Sequence, residues 1–74
     1  MTTSAQLRQA RAALQWTMQD LAEKANVHHN TVWRAENGKT EPGPAVAKIV
    51  ATLEAHGVEF VGGSRPGVRM RGQA

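Results

Sequence analysis

Apolar residues recur with helical spacing as far as Gly57, and beyond it with a period of two. Leu7, Ala10 and Leu14, at i, i+3 and i+7, form one stripe on a helix from about Ser4 to Leu14, with Ser4 as its candidate N-cap. A second helix opens at Thr17, where Asp20 three residues on makes an aspartate version of the capping box. It carries Met18, Leu21, Ala22 and Ala25, and its exit is predicted near Asn26, a residue that tolerates left-handed backbone. A third stretch, from His28 or His29 to Asn37, turns Val32 and Ala35 inward and stops at Gly38. The run Asn37–Pro44 is a loop by composition, and Pro44 suits the first turn of a fourth helix. There Val46, Ile49, Val50 and Leu53 give a strongly periodic apolar face, and Gly57 closes the helix after His56.

After Gly57 the pattern switches. Val58 and Phe60 alternate with Glu59, while Val68 and Met70 alternate with Arg69 and Arg71. Turn-forming residues from Gly62 to Gly67 lie between, so a C-terminal β-hairpin is predicted. The pattern therefore reads as mainly α: four helical stretches followed by a short β-hairpin. Val58, Phe60, Val68 and Met70 share one apolar face of that hairpin. The face could close the base of the monomer, serve as a dimer interface by pairing an edge with a second copy, or belong to an unstructured tail. Pairing is favoured, because a small core gains from association.

Composition narrows the function. Seventy-four residues make one domain that buries only about 60 % of its unfolded surface. With no cysteine there are no disulfides, iron–sulfur clusters or thiol nucleophiles. Nine Lys+Arg against six Asp+Glu leave a net charge of +3, which permits a polyanionic partner without demanding one. Trp16, Trp33 and Phe60 are too few aromatics for a base-stacking platform. No apolar run is long enough to span a membrane, and Met1–Thr3 lacks the basic-then-apolar layout of a signal peptide, so a cytoplasmic protein with no membrane association is expected. A small binding module is favoured over an enzyme.

Catalytic and metal chemistry find no support. Gly38-Lys39-Thr40 has the ending of a phosphate-binding P-loop, but Trp33 stands where the first glycine belongs and no strand precedes it. Adjacent His28 and His29 point about 100° apart on a helix and cannot chelate one metal together, and His56 is distant. Ser4 and Ser64 have no base or orienting acid at a recognisable spacing. No catalytic, cofactor or metal residue is assigned.

The second and third helices carry the informative motif. Two short helices joined by about three residues, with small Ala22 and Ala25 permitting close approach, fit a helix-turn-helix, whose second helix enters a DNA major groove. Short helical pairs are common, and the pattern alone does not decide for DNA. The residues go further. The run from Leu14 to Thr40 resembles the helix-turn-helix of the Cro and lambda-repressor-like, or XRE-type, family, through Leu21-Ala22, Val27, Thr31-Val32, Arg34 and above all Glu36-Asn37-Gly38-Lys39. Pro42 and the helix bearing Leu53 extend the likeness to about residues 5–57, and the tail is similar to short bacterial regulators that end in a Gly-Val-Glu-Phe strand and a Gly-Val-Arg segment. The resemblance implies a compact lambda-repressor-like bundle of four to five short helices with the short C-terminal β-hairpin, operator binding as a homodimer and transcriptional control. It divides the chain into a DNA-binding domain at 1–57 and a hairpin tail at 58–74 that is the candidate dimerisation element.

Family roles carried onto this sequence give a concrete interface with double-stranded DNA. His29 and Asn30 open the exposed start of the recognition helix, and Arg34 lies one turn on. Asparagine pairs bidentately with adenine and arginine with guanine, each worth about 1–3 kcal/mol of discrimination, and positions 30 and 34 share a helix face. Trp33 flanks that face and either touches a thymine methyl or a sugar, or folds back over the first helix. Phosphate contacts are expected from the helix start at Thr17, Met18 and Gln19, from His28 and Thr31, and from the loop residues Asn37, Lys39 and Thr40. Met18 stands where family members usually carry glutamine, which leaves the backbone amide to make that contact. The family also pairs an arginine of the first helix with the glutamate that ends the recognition helix, here Arg11 with Glu36. Two other readings stay open: an antitoxin of the same fold that binds a partner toxin and controls its own operon, and an adaptor that binds protein through Trp33 and the hairpin. DNA binding would place the protein on the nucleoid.

Overall fold

The computed structural model describes residues 4–41, 43–63 and 66–71. Among them are four helices and one hairpin: α1 (Ser4–Ala13), α2 (Met18–Ala25), α3 (His29–Glu36), α4 (Pro44–Ala55), β1 (Val58–Val61) and β2 (Gly67–Met70). The predicted caps account for most boundaries. Thr17 accepts from the Asp20 amide at 3.0 Å while the Asp20 carboxylate accepts from the Thr17 N–H at 2.9 Å, a complete capping box. Asn26 leaves α2 in left-handed backbone at φ 57°, and the Val27 N–H reaches back to Ala22 at 3.0 Å. Only Asn26, Val27 and His28 then separate α2 from α3.

Two ends differ from expectation. Ser4, the expected cap, is itself helical, and the residues before it lie outside the described ones. His28 caps α3, which begins at His29, one of the two expected starts, and stops one residue early at Glu36 with Asn37 as C-cap. Gly38 then turns at φ +67°, and a Cβ there would lie 3.3 Å from the Ser4 hydroxyl, so a side chain is opposed twice.

The apolar stripes meet in one core. Leu7 and Ala10 of α1, Leu21, Ala22 and Ala25 of α2, Val32 and Ala35 of α3, Ile49 and Leu53 of α4, and Val58 of β1 are all buried. Leu14, Trp16, Met18, Val27, Val46 and Val50 pack around them, half-buried. Trp16 is clasped from two sides: the His56 ring meets its ring edge-on with centroids 4.8 Å apart, and the Lys24 ammonium sits 5.2 Å from the ring centre.

The hairpin is antiparallel, with Val58 opposite Met70 and Phe60 opposite Val68. Its apolar face lies on its own protomer: Val58 is fully buried, and Phe60, Val68 and Met70 are half-buried against the core. Two polar anchors hold it there, in place of an unstructured tail. The Gln6 side-chain amide, 2 % exposed, donates to Val61 O at 2.7 Å and Gly67 O at 2.8 Å, one bond to each strand at the turn end. At the open end the Arg71 N–H donates to Gly57 O, and its guanidinium to Glu54 O at 2.6 Å.

Candidate nucleic-acid interface

Along α3 the burial pattern repeats every three to four residues, as a helix on a core requires. Val32, Ala35 and Glu36 are buried, whereas His29, Asn30, Trp33 and Arg34 are exposed, as is Asn37 just past the helix end. The exposed positions run i, i+3, i+4, i+7 from Asn30 and form one continuous outer face. Neither Asn30 nor Arg34 turns inward. Trp33 does not fold back on the core; it is 43 % exposed, the one large apolar side chain so placed among the described residues.

The inner face is fixed by charge as well as packing. The Arg11 guanidinium grips Glu36 bidentately, Nε to Oε2 at 2.7 Å and Nη2 to Oε1 at 3.0 Å, and Nη1 donates to Trp16 O. Glu36 is 1 % exposed. Hydrogen bonding to Glu36 holds the Arg11 guanidinium above its ordinary value, against the opposing effect of burial. Arg8, one turn before Arg11, donates Nη1 to the Glu36 carbonyl at 2.6 Å. The pair therefore ties α1 to the end of α3 through side chain and backbone together. Arg8 had a faint signal in the sequence, its i, i+3 spacing from Arg11, which puts both on one face.

At the start of α3 the His28 Nδ1 accepts from the Asn30 N–H at 3.0 Å. An Nδ1 that accepts leaves the neutral ring proton on Nε2, so this exposed imidazole keeps a donor for an acceptor beyond the helix, such as a phosphate oxygen. At the other end, Asn37 Nδ2 donates to Trp33 O at 2.8 Å, and Arg34 Nη2 donates to Lys39 O at 3.1 Å. Both bonds fold the loop after α3 against its last turn. They occupy one of the two Asn37 Nδ2 donors and one of the five Arg34 donors. Lys39 and Thr40 are exposed on that loop.

The expected phosphate contacts at α2 are placed unevenly. Thr17 and Gln19 are exposed, but the Thr17 hydroxyl is engaged in the capping box, and the Gln19 amide donates to Glu23 on its own helix at 3.1 Å. The Met18 side chain packs against the core, which leaves only its backbone amide facing beyond the helix start. Asp20 sits in this first turn, and hydrogen bonds from the Thr17 backbone and side chain hold its carboxyl below the ordinary carboxylate range. A phosphate arriving here meets free helix amides beside a fixed negative charge. Thr31 is half-buried at the flank of α3. Among the described residues no three His, Cys, Asp or Glu side chains come together as a metal cluster, and no helix is long and apolar enough to cross a membrane.

The arrangement is a helix held from behind and at both ends, presenting polar side chains and one indole outward. A family model described as helix-turn-helix matches residues 7–53, which takes in most of α1, all of α2 and α3, and most of α4. No curated protein matches the chain.

Proposed function

The chain belongs to the XRE-type helix-turn-helix family of DNA-binding regulators, and within it we propose that this protein is a transcriptional repressor that binds an inverted-repeat operator as a homodimer through α3. One observation carries the reading: Asn30 and Arg34 stand one turn apart on the exposed face of a helix whose opposite face is locked into the core. A helix so exposed fits a major groove about 12 Å wide, where asparagine and arginine have matching base edges in adenine and guanine. His29 extends the row, while His28, Thr31, Asn37, Lys39, Thr40 and the start of α2 from Thr17 to Gln19 are assigned to the phosphates on either side.

The dimer contact is assigned to the hairpin. Phe60, Val68 and Met70 are only half-buried within the protomer and form the margin offered to a second copy, with Val58 supporting them from inside. Such a dimer places two half-sites about 10–10.5 bp apart, centre to centre. Phe60→Asp is expected to give monomers by light scattering at micromolar concentration.

The test of function is binding to duplexes drawn from genome-wide mapping of bound fragments. Affinity should fall with salt at a log–log slope of about −0.9 for each phosphate neutralised. Asn30→Ala and Arg34→Ala should relax sequence preference, and Lys39→Ala should weaken all sequences alike. If Arg34→Ala bound a mapped operator as tightly and as selectively as the parent, the assignment of readers would fall. The exposed Trp33 is the observation that favours the adaptor reading, for which weak, salt-insensitive binding to every duplex is the signature.

A further inference from the structure

Trp33 departs from the rule that governs every other large apolar side chain described here. Leu7, Leu21, Ile49 and Leu53 are buried, and Trp16, Met18, Phe60 and Met70 pack half-buried against the core; Trp33 does neither. Its backbone is firmly placed, because its carbonyl accepts from both the N–H and the Nδ2 of Asn37, at 3.1 and 2.8 Å. The indole thus projects from a fixed turn of α3, with Asn30 at i−3, Arg34 at i+1, His29 at i−4 and Asn37 at i+4. Each of these neighbours can form hydrogen bonds, so the outer face offers polar groups everywhere except at one apolar position.

The major groove has the complementary composition. Every base pair presents donors and acceptors there, and the single apolar group on its floor is the C5-methyl of thymine. We propose that Trp33 reads the 5-methyl group of a pyrimidine, in thymine and equally in 5-methylcytosine, so that binding responds to the methylation of DNA. This inference rests on the groove-binding reading of α3 given above. One methyl group buried against the indole is worth about a fourfold change in affinity. In 5-methylcytosine the methyl projects from the same ring carbon as in thymine, so an unmethylated C·G pair at the contact gains a similar factor on methylation.

The experiment uses the full chain and a duplex that it selects from a random-sequence pool. Each thymidine is replaced in turn by deoxyuridine, which removes a methyl and leaves every hydrogen-bonding edge intact, and each cytosine by 5-methylcytosine. The parent should lose about fourfold in affinity at one thymine per half-site, or gain about fourfold at one methylated cytosine. Trp33→Ala should lose that response while keeping its preference at the other positions, and Trp33→Leu should retain part of it. Trp33 lies outside the core, so unchanged thermal melting of both variants shows that they fold.

Three results overturn the proposal: equal responses to every methyl in the parent and Trp33→Ala, uniform weakening of all duplexes by Trp33→Ala as a sugar contact would give, or unchanged DNA binding by Trp33→Ala as a protein-docking indole would give. Selection of a defined sequence together with any of these removes the methyl reading alone. Failure to select any sequence removes the DNA reading beneath it as well.

Discussion

The two faces of α3 each carry one residue of the wrong polarity. Inward, beside Val32 and Ala35, lies the carboxylate of Glu36; outward, beside Asn30 and Arg34, stands the indole of Trp33. Hydrophobic patterning alone would exchange them. The inner exception is matched atom for atom: two bonds from Arg11 reach the carboxylate, and one from Arg8 reaches the carbonyl. The outer exception has no counterpart in the core. A polar group inside a small domain is thus a fastening, whereas an apolar ring outside one is an unmet contact, and the two faces should fail in different assays.

The largest effect is expected on the inner face. Glu36→Ala leaves Arg11 partly buried without its partner and should cost about 3–5 kcal/mol, a large share of the stability of any small domain. An unchanged melting temperature would refute the pairing as a stabilising one. Glu36→Gln, which keeps the shape and drops the charge, should fall between Glu36→Ala and the parent in the same melt. The start of α3 comes next. His28→Ala removes the acceptor for the Asn30 N–H and should lower stability by about 1 kcal/mol, while His28→Asn, a strong cap, should recover it. If Asn restores stability but not DNA affinity, the imidazole has a second task at the phosphates.

A control pair sharpens the contrast. Arg69 and Glu59 on the hairpin are 2.8 Å apart, nearly the length of the Arg11–Glu36 contact, yet their side chains are 68 % and 47 % exposed. Glu59→Ala should change stability by under about 1 kcal/mol in urea titration, because burial and not bond length decides the worth of an ion pair. The smallest effect concerns acid. The folded Asp20 carboxyl lies below its ordinary value of 3.8, so its contribution is complete above that pH and is lost as pH falls through the folded value. The stability difference between the parent and Asp20→Asn should be flat above pH 3.8 and shrink below it; a difference that grows with acid would reverse the sign.

Local chemistry made most of the fold readable. Periodicity placed four helices, the capping box at Thr17 and the left-handed exit at Asn26 marked α2, and the change to a period of two located the hairpin. The Arg11–Glu36 contact came from family likeness, since nothing in spacing ties residues 25 apart. Gln6 was invisible for the same reason: a polar residue reads as surface unless its partners are known, and these lie 55 and 61 positions away. The start of α3 was open between His28 and His29, because histidine is not among the serine, threonine, aspartate and asparagine that lead as caps. The Met18 side chain turned to the core because the first turn of α2 packs there. The outer row of α3 was legible, since one helix's periodicity places all its members at once.

The bond from Arg34 to the Lys39 carbonyl bears on the price of docking. A free arginine explores many rotamers and surrenders up to about 2 kcal/mol of entropy when a base pair immobilises it. Here one guanidinium N–H already bonds to its own loop, with four N–H groups left to offer. Part of that rotamer freedom is thus already restricted, so under the proposed guanine contact less entropy should be lost on docking.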